Sequence, residues 1–304
     1  MINFRYHLVS LICVFLGIAL GVVVGTTALN GAVVGDLRRQ NSDLKAAADN
    51  QSTREQTLQA QASAANQLAQ NFGGRVSAKT LAGKKVVIIG VAGATKTMKD
   101  GIAAQLQAAG GTVIGSVQLA KAFDDPARGN DIQSLATSAH PIGLQLPQTE
   151  DAGVLAGSLL GFVLMGHGSA TDIQTVLTGF SSLNMLRVES GAQSGANAAV
   201  VVAPGGLPAK DEGGAMLLSF VSQLATTGGP TVVVGDTAAA TSHGLVDLVR
   251  SDASAQKSLS TVDDADTPVG QLTTALTVAD ELAGHRGNYG TAAGADAVLP
   301  GASS

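Results

Sequence analysis

The amino-acid sequence predicts an α/β protein: an N-terminal single transmembrane helix, a coiled-coil stalk, then a Rossmann-like three-layer domain with a mainly parallel sheet. Three observations predict it. No charged residue falls between Leu8 and Ala28, apolar residues recur at seven-residue spacing from Val34 to Phe72, and from Lys84 onward apolar runs alternate with Gly-rich turns and helical segments. The expected organisation is a tail and anchor over residues 1–30, a stalk over 31–74, the α/β domain over 84–290 and a flexible C-terminal tail over 291–304.

As a helix, the run from Leu8 to Ala28 would extend about 31 Å, the thickness of a bilayer's hydrocarbon core. A cleaved secretory signal is the competing reading, with Arg5 as a one-charge n-region and Thr26-Thr27-Ala28 as the cleavage site. The apolar part of a signal usually spans about 7 to 15 residues, whereas this run continues apolar through Val34, which favours an uncleaved anchor. Counting Arg38, Arg39 and Lys45 against Arg5 would leave the large domain in the cytoplasm. Long domains translocate largely regardless of charge, so charge leaves sidedness open. Within the span, Gly17, Gly21 and Gly25 recur every four positions. Small residues at that spacing let two helix backbones approach closely, although glycine is common in transmembrane helices generally.

From Val34 to Phe72 the chain turns polar and Pro-free, dense in Gln, Ala, Leu, Asp and Arg, which is helix-forming composition. Leu37, Leu44, Gln51, Leu58, Ala65 and Phe72 take the d positions of a heptad, and Val34, Asn41, Ala48, Glu55, Ala62 and Ala69 the a positions. That is a coiled-coil seam interrupted by Gln51 and Glu55, in which Asn41 would fix register and a two-stranded state. A single polar spacer helix is the alternative. The residues expected to carry dimerisation are Gly17, Gly21, Gly25, Leu37, Asn41, Leu44 and Leu58, and Phe72-Gly73-Gly74 is expected to end the helix.

In the distal part, Val86 to Ile89 reads as a strand, Gly90 to Gly93 as a Gly-rich turn and the segment to Ala109 as a helix. Gly110-Gly111 closes that helix and Thr112 to Val117 returns as a strand, completing a βαβ unit. A second set follows: strand Ala198 to Val202, helix Glu212 to Ala225, strand Pro230 to Val234 and helix Ser242 to Arg250. Continuous apolar strands of this kind are buried on both faces, as in parallel sheets. The apolar region from Gly153 to Gly179 is expected to be helical and to offer a membrane-associated or partner-facing surface.

Composition and motifs restrict the chemistry. A net charge of −5 and a pI near 5.4, with no run of Lys or Arg, argue against nucleic-acid binding. Cys13 is the single cysteine, so intrachain disulfides and Cys-x-x-Cys sites are excluded. Gly90 to Thr97 approaches the phosphate-cradling Gly-x-x-x-x-Gly-Lys-Thr, but Thr95 stands where the second glycine is needed. The turn Gly235-Asp236-Thr237 also follows a buried strand, at the edge where open α/β sheets bind ligands. Cofactor-binding residues are not identifiable. His7, His140, His167, His243 and His285 lack metal-site spacing, leaving Met165 and His167 as weak candidates for a soft cation such as Cu(I). The run Asp263-Asp264-Ala265-Asp266 could hold a hard cation, and reads more simply as the approach to a helix capped by Asp266 or Thr267 with Pro268 in its first turn. No Ser elbow or Cys nucleophile is visible, so the sequence predicts a protein that is not an enzyme.

The opening Met1-Ile2-Asn3-Phe4-Arg5-Tyr6-His7, running into Leu8-Val9-Ser10-Leu11 and Val14-Phe15-Leu16, resembles a family of actinobacterial envelope proteins. So do Val262-Asp263-Asp264-Ala265-Asp266-Thr267-Pro268-Val269-Gly270 and the segment Gly284 to Gly290 that ends in Asn288-Tyr289-Gly290. Together they resemble the mycobacterial copper transport protein B (MctB) family, related to the corynebacterial division protein SteB. The resemblance implies a channel-forming role in copper efflux and homeostasis, with copper as a transported ion and not a cofactor, and an α/β domain outside the cytoplasm in the outer envelope. Clustered Cys, Met or His, or the many alternating strands of a β-barrel, would support that role from the residues, and the sequence shows neither. The related division protein implies an alternative, a non-enzymatic dimeric scaffold for envelope remodelling. Expected partners are the membrane, a second copy of the chain and another envelope protein, with no nucleic acid.

Overall fold

The computed structural model describes residues 4–166, 168–191, 193–205, 213–241 and 243–301, with the side chains of Phe4 and of residues 27–34 outside the description. His167 and the expected helix starts at Glu212 and Ser242 lie outside these residues, as does the side chain of Val34. The chain divides into two compact units, Met1–Ala64 and Ala65–Ser304.

The first unit consists of a single helix, the greater part of α1 (Phe4–Val76). Its stretch Arg5–Thr26 has a mean hydropathy of 2.8 and none of it is buried, so it is long and apolar enough to cross a membrane. Such a helix is stable in water only when its apolar surface is covered; in lipid every backbone N–H and C=O is already satisfied internally.

In the second unit, α1 runs through the expected stop at Gly73-Gly74 and ends at Val76. Both glycines face close neighbours instead: a Cβ on Gly73 would lie 2.9 Å from Gln105 Nε2, and one on Gly74 would lie 3.3 Å from the Ala108 Cβ. Termination comes two residues later, where buried Ser77 turns its N–H and Oγ back onto the Gly73 carbonyl at 2.9 and 3.0 Å.

The sheet that follows is built as the apolar runs require. In chain order the elements are β1 (Lys85–Gly90), α2 (Lys96–Ala108), β2 (Thr112–Leu119), α3 (Gly129–Ser138), α4 (Ala152–Leu164), α5 (Ala170–Ser182), β3 (Leu186–Ser190), β4 (Ala198–Val202), α6 (Gly213–Gly228), β5 (Thr231–Val234), α7 (Leu245–Ser251), β6 (Ser260–Val262), α8 (Pro268–Leu282) and β7 (Asn288–Tyr289). The strands form one seven-stranded sheet in the order β3-β2-β1-β4-β5-β6-β7. Every pairing is parallel except β2 with β3. Central β4 is buried at all its residues, and its side chains alternate between two apolar clusters. Ala199 and Val201 join one with α3 to α7, while Ala198, Val200 and Val202 join the other with α2 and α8. Burial of each such valine is worth about 1.5–3 kcal/mol.

The apolar region from Gly153 to Gly179 is helical, as expected, but it divides into α4 and α5, and α4 is an interior helix and not a surface. Gly153, Gly157 and Gly161 lie on one face of α4, directly against the backbone of α6. A Cβ at these positions would sit 2.3 Å from the Met216 carbonyl oxygen, 2.6 Å from that of Phe220 and 3.2 Å from that of Leu224. The aromatic residues fill what this close contact leaves: Phe123 meets Phe220 edge-on at 5.0 Å and Phe180 at 6.0 Å. After β7, residues expected to form a loose tail are bonded in, with Gly290 N–H donating to the Ala297 carbonyl at 3.0 Å and Arg250 Nη1 to the Ala293 carbonyl at 3.2 Å.

Gly157→Val is expected to destabilise the protein by about 3 kcal/mol, because the added atoms meet α6 backbone that has nowhere to move. Chemical denaturation of the full chain in detergent measures it.

Candidate functional site

The expected pairing residues all stand on α1, and the described residues leave them uncovered. Gly17, Gly21 and Gly25 would each have no atom within 4 Å of an added Cβ. Leu37, Leu44 and Leu58 are exposed, and so is Asn41. The α1 face thus offers small and apolar side chains that the described chain leaves uncovered.

At the C-terminal edge of the sheet, the Gly-rich turn after β1 serves an internal network. A Cβ on Gly90 would lie 2.4 Å from Gln118 Oε1, so glycine lets the Gln118 side chain cross β1 and donate from Nε2 to the Val91 carbonyl at 2.7 Å. Gln118 Oε1 accepts from buried Lys99 Nζ at 2.6 Å, and Lys99 donates at the same distance to Glu189 Oε2. Burial alone would raise the Glu189 carboxyl, but hydrogen bonds from Lys99 and Ser116 together with the Lys99 charge outweigh it and hold it below its ordinary value. Thr95, in the extended region at φ −79°, caps α2 by accepting from Met98 N–H at 3.3 Å. The resemblance of this turn to a phosphate loop is therefore spent on a helix cap and a side-chain crossing.

The second turn is closed in the same way. A Cβ on Gly235 would lie 2.3 Å from the Ala203 carbonyl oxygen, and Asp236 Oδ1 accepts from the Gly205 and Ala239 N–H groups at 2.9 Å each. The β4 and β5 turns are bound to one another through that carboxylate.

The acidic run and the Asn288-Tyr289-Gly290 segment, far apart in sequence, form one structure. Asp263 Oδ1 accepts from Thr291 and Ala292 N–H at 2.6 and 3.0 Å, and Oδ2 lies 2.9 Å from Arg250 Nη2. Gly290, at φ +127°, is the residue whose Cβ would strike that carboxylate, at 2.3 Å. Arg250 also donates to Thr261 Oγ1 at 2.9 Å and the Tyr289 carbonyl at 2.8 Å. Asp264 adopts the left-handed region at φ +63°, is buried, and its Oδ1 has no hydrogen-bond partner. Burial, then the charges of Asp263 and Asp266, push its carboxyl up to about 7, against an opposing pull from Arg250. Thr267 caps α8 by accepting from Gly270 N–H at 3.1 Å, with Pro268 at the first position, as the sequence suggests.

Met165 is buried at the end of α4, with its sulfur 2.5 Å from where a Cβ on Gly228 would stand. Its thioether fills the space that Gly228 leaves open, and its neighbour in the expected pair, His167, is outside the described residues. Among the described residues no group of three or more His, Cys, Asp or Glu side chains is placed to hold a metal ion. Sequence reasoning missed Lys99, Arg250 and Glu281, the last of which accepts from Ser260 Oγ. Each is buried inside a helix whose charged residues read as solvent-facing. The one available signal was each helix's apolar periodicity, which places Lys99 beside Met98 on the inner face.

Fold and edge together define an α/β protein with one N-terminal helix long and apolar enough to cross a membrane among the described residues, and with most of the polar groups at the sheet edge engaged in internal bonds. The chain matches the family described as copper transport outer membrane protein, MctB, over residues 1–300. It is 31% identical to the copper transporter MctB of Mycobacterium tuberculosis (strain ATCC 25618 / H37Rv), covering 98% of this chain and 99% of that protein. It is 32% identical to the copper transporter MctB of Mycobacterium leprae (strain TN), with the same coverage of 98% and 99%. This protein belongs to the MctB family.

Because the folded Asp264 binds its proton more tightly than the unfolded chain, with a carboxyl raised from 3.8 to about 7, its contribution falls as pH rises between those values. Asp264→Asn removes that loss. The variant is expected to be about 2 kcal/mol more stable than the parent at pH 8 and equal to it near pH 4, measured as the difference between paired denaturation curves.

Proposed function

We propose that this protein serves copper homeostasis at the cell envelope as a membrane-anchored homodimer, moving copper as cargo and carrying out no reaction of its own. The observation that carries the reading is family membership across the whole chain, anchor and α/β domain alike, with relatives named as copper transporters. The family description as an outer membrane protein supports a placement of the α/β domain outside the cytoplasm.

The dimer is supported by the uncovered α1 face. In lipid, helices associate by close packing on small residues, and Gly17, Gly21 and Gly25 provide a ridge of that kind with space above it. In water, exposed Leu37, Leu44 and Leu58 give a heptad d seam, with Asn41 at an a position selecting two strands in register. Among the described residues, Arg5–Thr26 is the helical stretch long and apolar enough to cross a bilayer, and it carries this glycine ridge. The distal domain is proposed as Rossmann-like, supported by the strand order, which reverses direction between β1 and β4.

Reconstituted into vesicles, the full chain is expected to raise Cu(I) flux above that of protein-free vesicles; absence of both flux and Cu(I) binding would overturn the copper reading. Replacing Leu37, Leu44 and Leu58 together with Lys is expected to convert the detergent-solubilised dimer to monomer in sedimentation equilibrium. A dimer that survives the triple substitution would count against the stalk.

A further inference from the structure

We propose that the sheet's β3 edge is a second self-association surface, in which β3 of one chain pairs antiparallel with β3 of another about a two-fold axis midway between the two copies of Val188. The contact is separate from the α1 pairing and goes beyond it.

Among the described residues β3 ends the sheet, with β2 as its one neighbouring strand, and it is exposed from Arg187 to Ser190. Its outer edge therefore presents backbone N–H and C=O groups of the kind that another strand completes. The side chains restrict which strand can do so. Arg187 and Glu189 lie toward α2, where Glu189 meets Lys99 and Ser116. Val188 lies toward α5, at 41% exposure, where it borders an open apolar groove of about 820 Å³ with Ile173 and Leu177.

A two-fold axis perpendicular to a sheet keeps each side chain on its own face, and opposite residues of an antiparallel pair share a face, so the axis must lie midway between one residue and its own copy. Centring on Arg187 or on Glu189 would set like charges directly opposite one another, which is unfavourable. Centring on Val188 instead sets Arg187 against the partner's Glu189 twice, and brings the two Val188 side chains together on the α5 face. That register also brings two copies of the groove together across the axis, so that each chain covers apolar surface of the other. The bulge that leaves Glu189 unpaired against β2, together with its charge, turns away strands lacking the complementary pattern. Chains held in one membrane meet at high effective concentration, so a short edge contact of this kind is enough to form there.

Full-length protein carrying Cys13→Ser and Val188→Cys is expected to form disulfide-linked dimers on iodine oxidation in membranes of expressing cells. Ala253→Cys, exposed after α7 and remote from β3 in the strand order, is the control and should form none. Adding Arg187→Glu to Val188→Cys should cut cross-linking about tenfold, with the melting temperature unchanged because Arg187 is 75% exposed. Leu58→Cys in the same background reports α1 separately. Cross-linking at Leu58→Cys without Val188→Cys overturns the β3 contact alone, and the reverse result upholds it while overturning the α1 dimer. Val188→Cys cross-linking that is no greater than Ala253→Cys, that ignores Arg187→Glu, or that captures a different protein also overturns the proposal.

Discussion

The backbone contact between α4 and α6 is the constraint on which much of the domain rests. Gly153, Gly157 and Gly161 bring the two helices so close that an added Cβ would fall within 2.3–3.2 Å of the carbonyl oxygens of Met216, Phe220 and Leu224, one turn apart on α6. With the helices that near, the face of the sheet they cover can be packed by valine, alanine and leucine, which is what a chain with no Trp and only 7 Phe can supply. Two of those phenylalanines, Phe180 and Phe220, gather around Phe123. Loss of the glycine contact would separate the helices and leave the small side chains of this core without partners.

The same device occurs at the other end of the chain, in a different state. Gly17, Gly21 and Gly25 repeat the spacing of α4, but among the described residues no atom beyond their own helix backbone stands within 4 Å of where their Cβ atoms would be. In α4 the ridge is covered by α6; in α1 the described residues leave it uncovered. Lipid is as apolar as leucine, so it fills the space without the directional gain of close packing, and a second glycine ridge fits better. Gly73 and Gly74 are an intermediate case, used inside the second unit to seat the end of α1 on α2 and α8. Among the described residues glycine serves close contact, as in α4, as well as turns, as at Gly290.

That double use explains where the sequence was legible and where it misled. Strands β1, β4 and β5 were readable because central parallel strands are continuous apolar runs, and α8 because Thr267-Pro268 is a strong start signal. Gly73-Gly74 read as a helix stop because composition does not distinguish a glycine that turns from one that packs. The apolar α4 read as a surface for the same reason: the partner that buries it, α6, lies about sixty residues away, and no local pattern reveals it. β3 was missed because Leu186-Arg-Val-Glu-Ser190 is short and charged, as an edge strand is. The acidic run at Asp263 could be placed as the approach to α8, but its bond to the backbone after Gly290 could not. Two motifs that looked like separate candidates are a single clamp on the last strands of the sheet, closed by Arg250.

The central claim is that the α1 glycine ridge is an interface between two copies, and the chain carries its own probe for it. Cys13 is the sole cysteine and stands four residues before Gly17, so it continues the line of Gly17, Gly21 and Gly25 along one helix face. Iodine oxidation of the unmodified protein in native membranes is the direct measurement. Pairing on the ridge predicts a disulfide-linked dimer at Cys13 that disappears in Gly17→Leu; a Cys13 that stays reduced in membranes, or a dimer indifferent to Gly17→Leu, would contradict it.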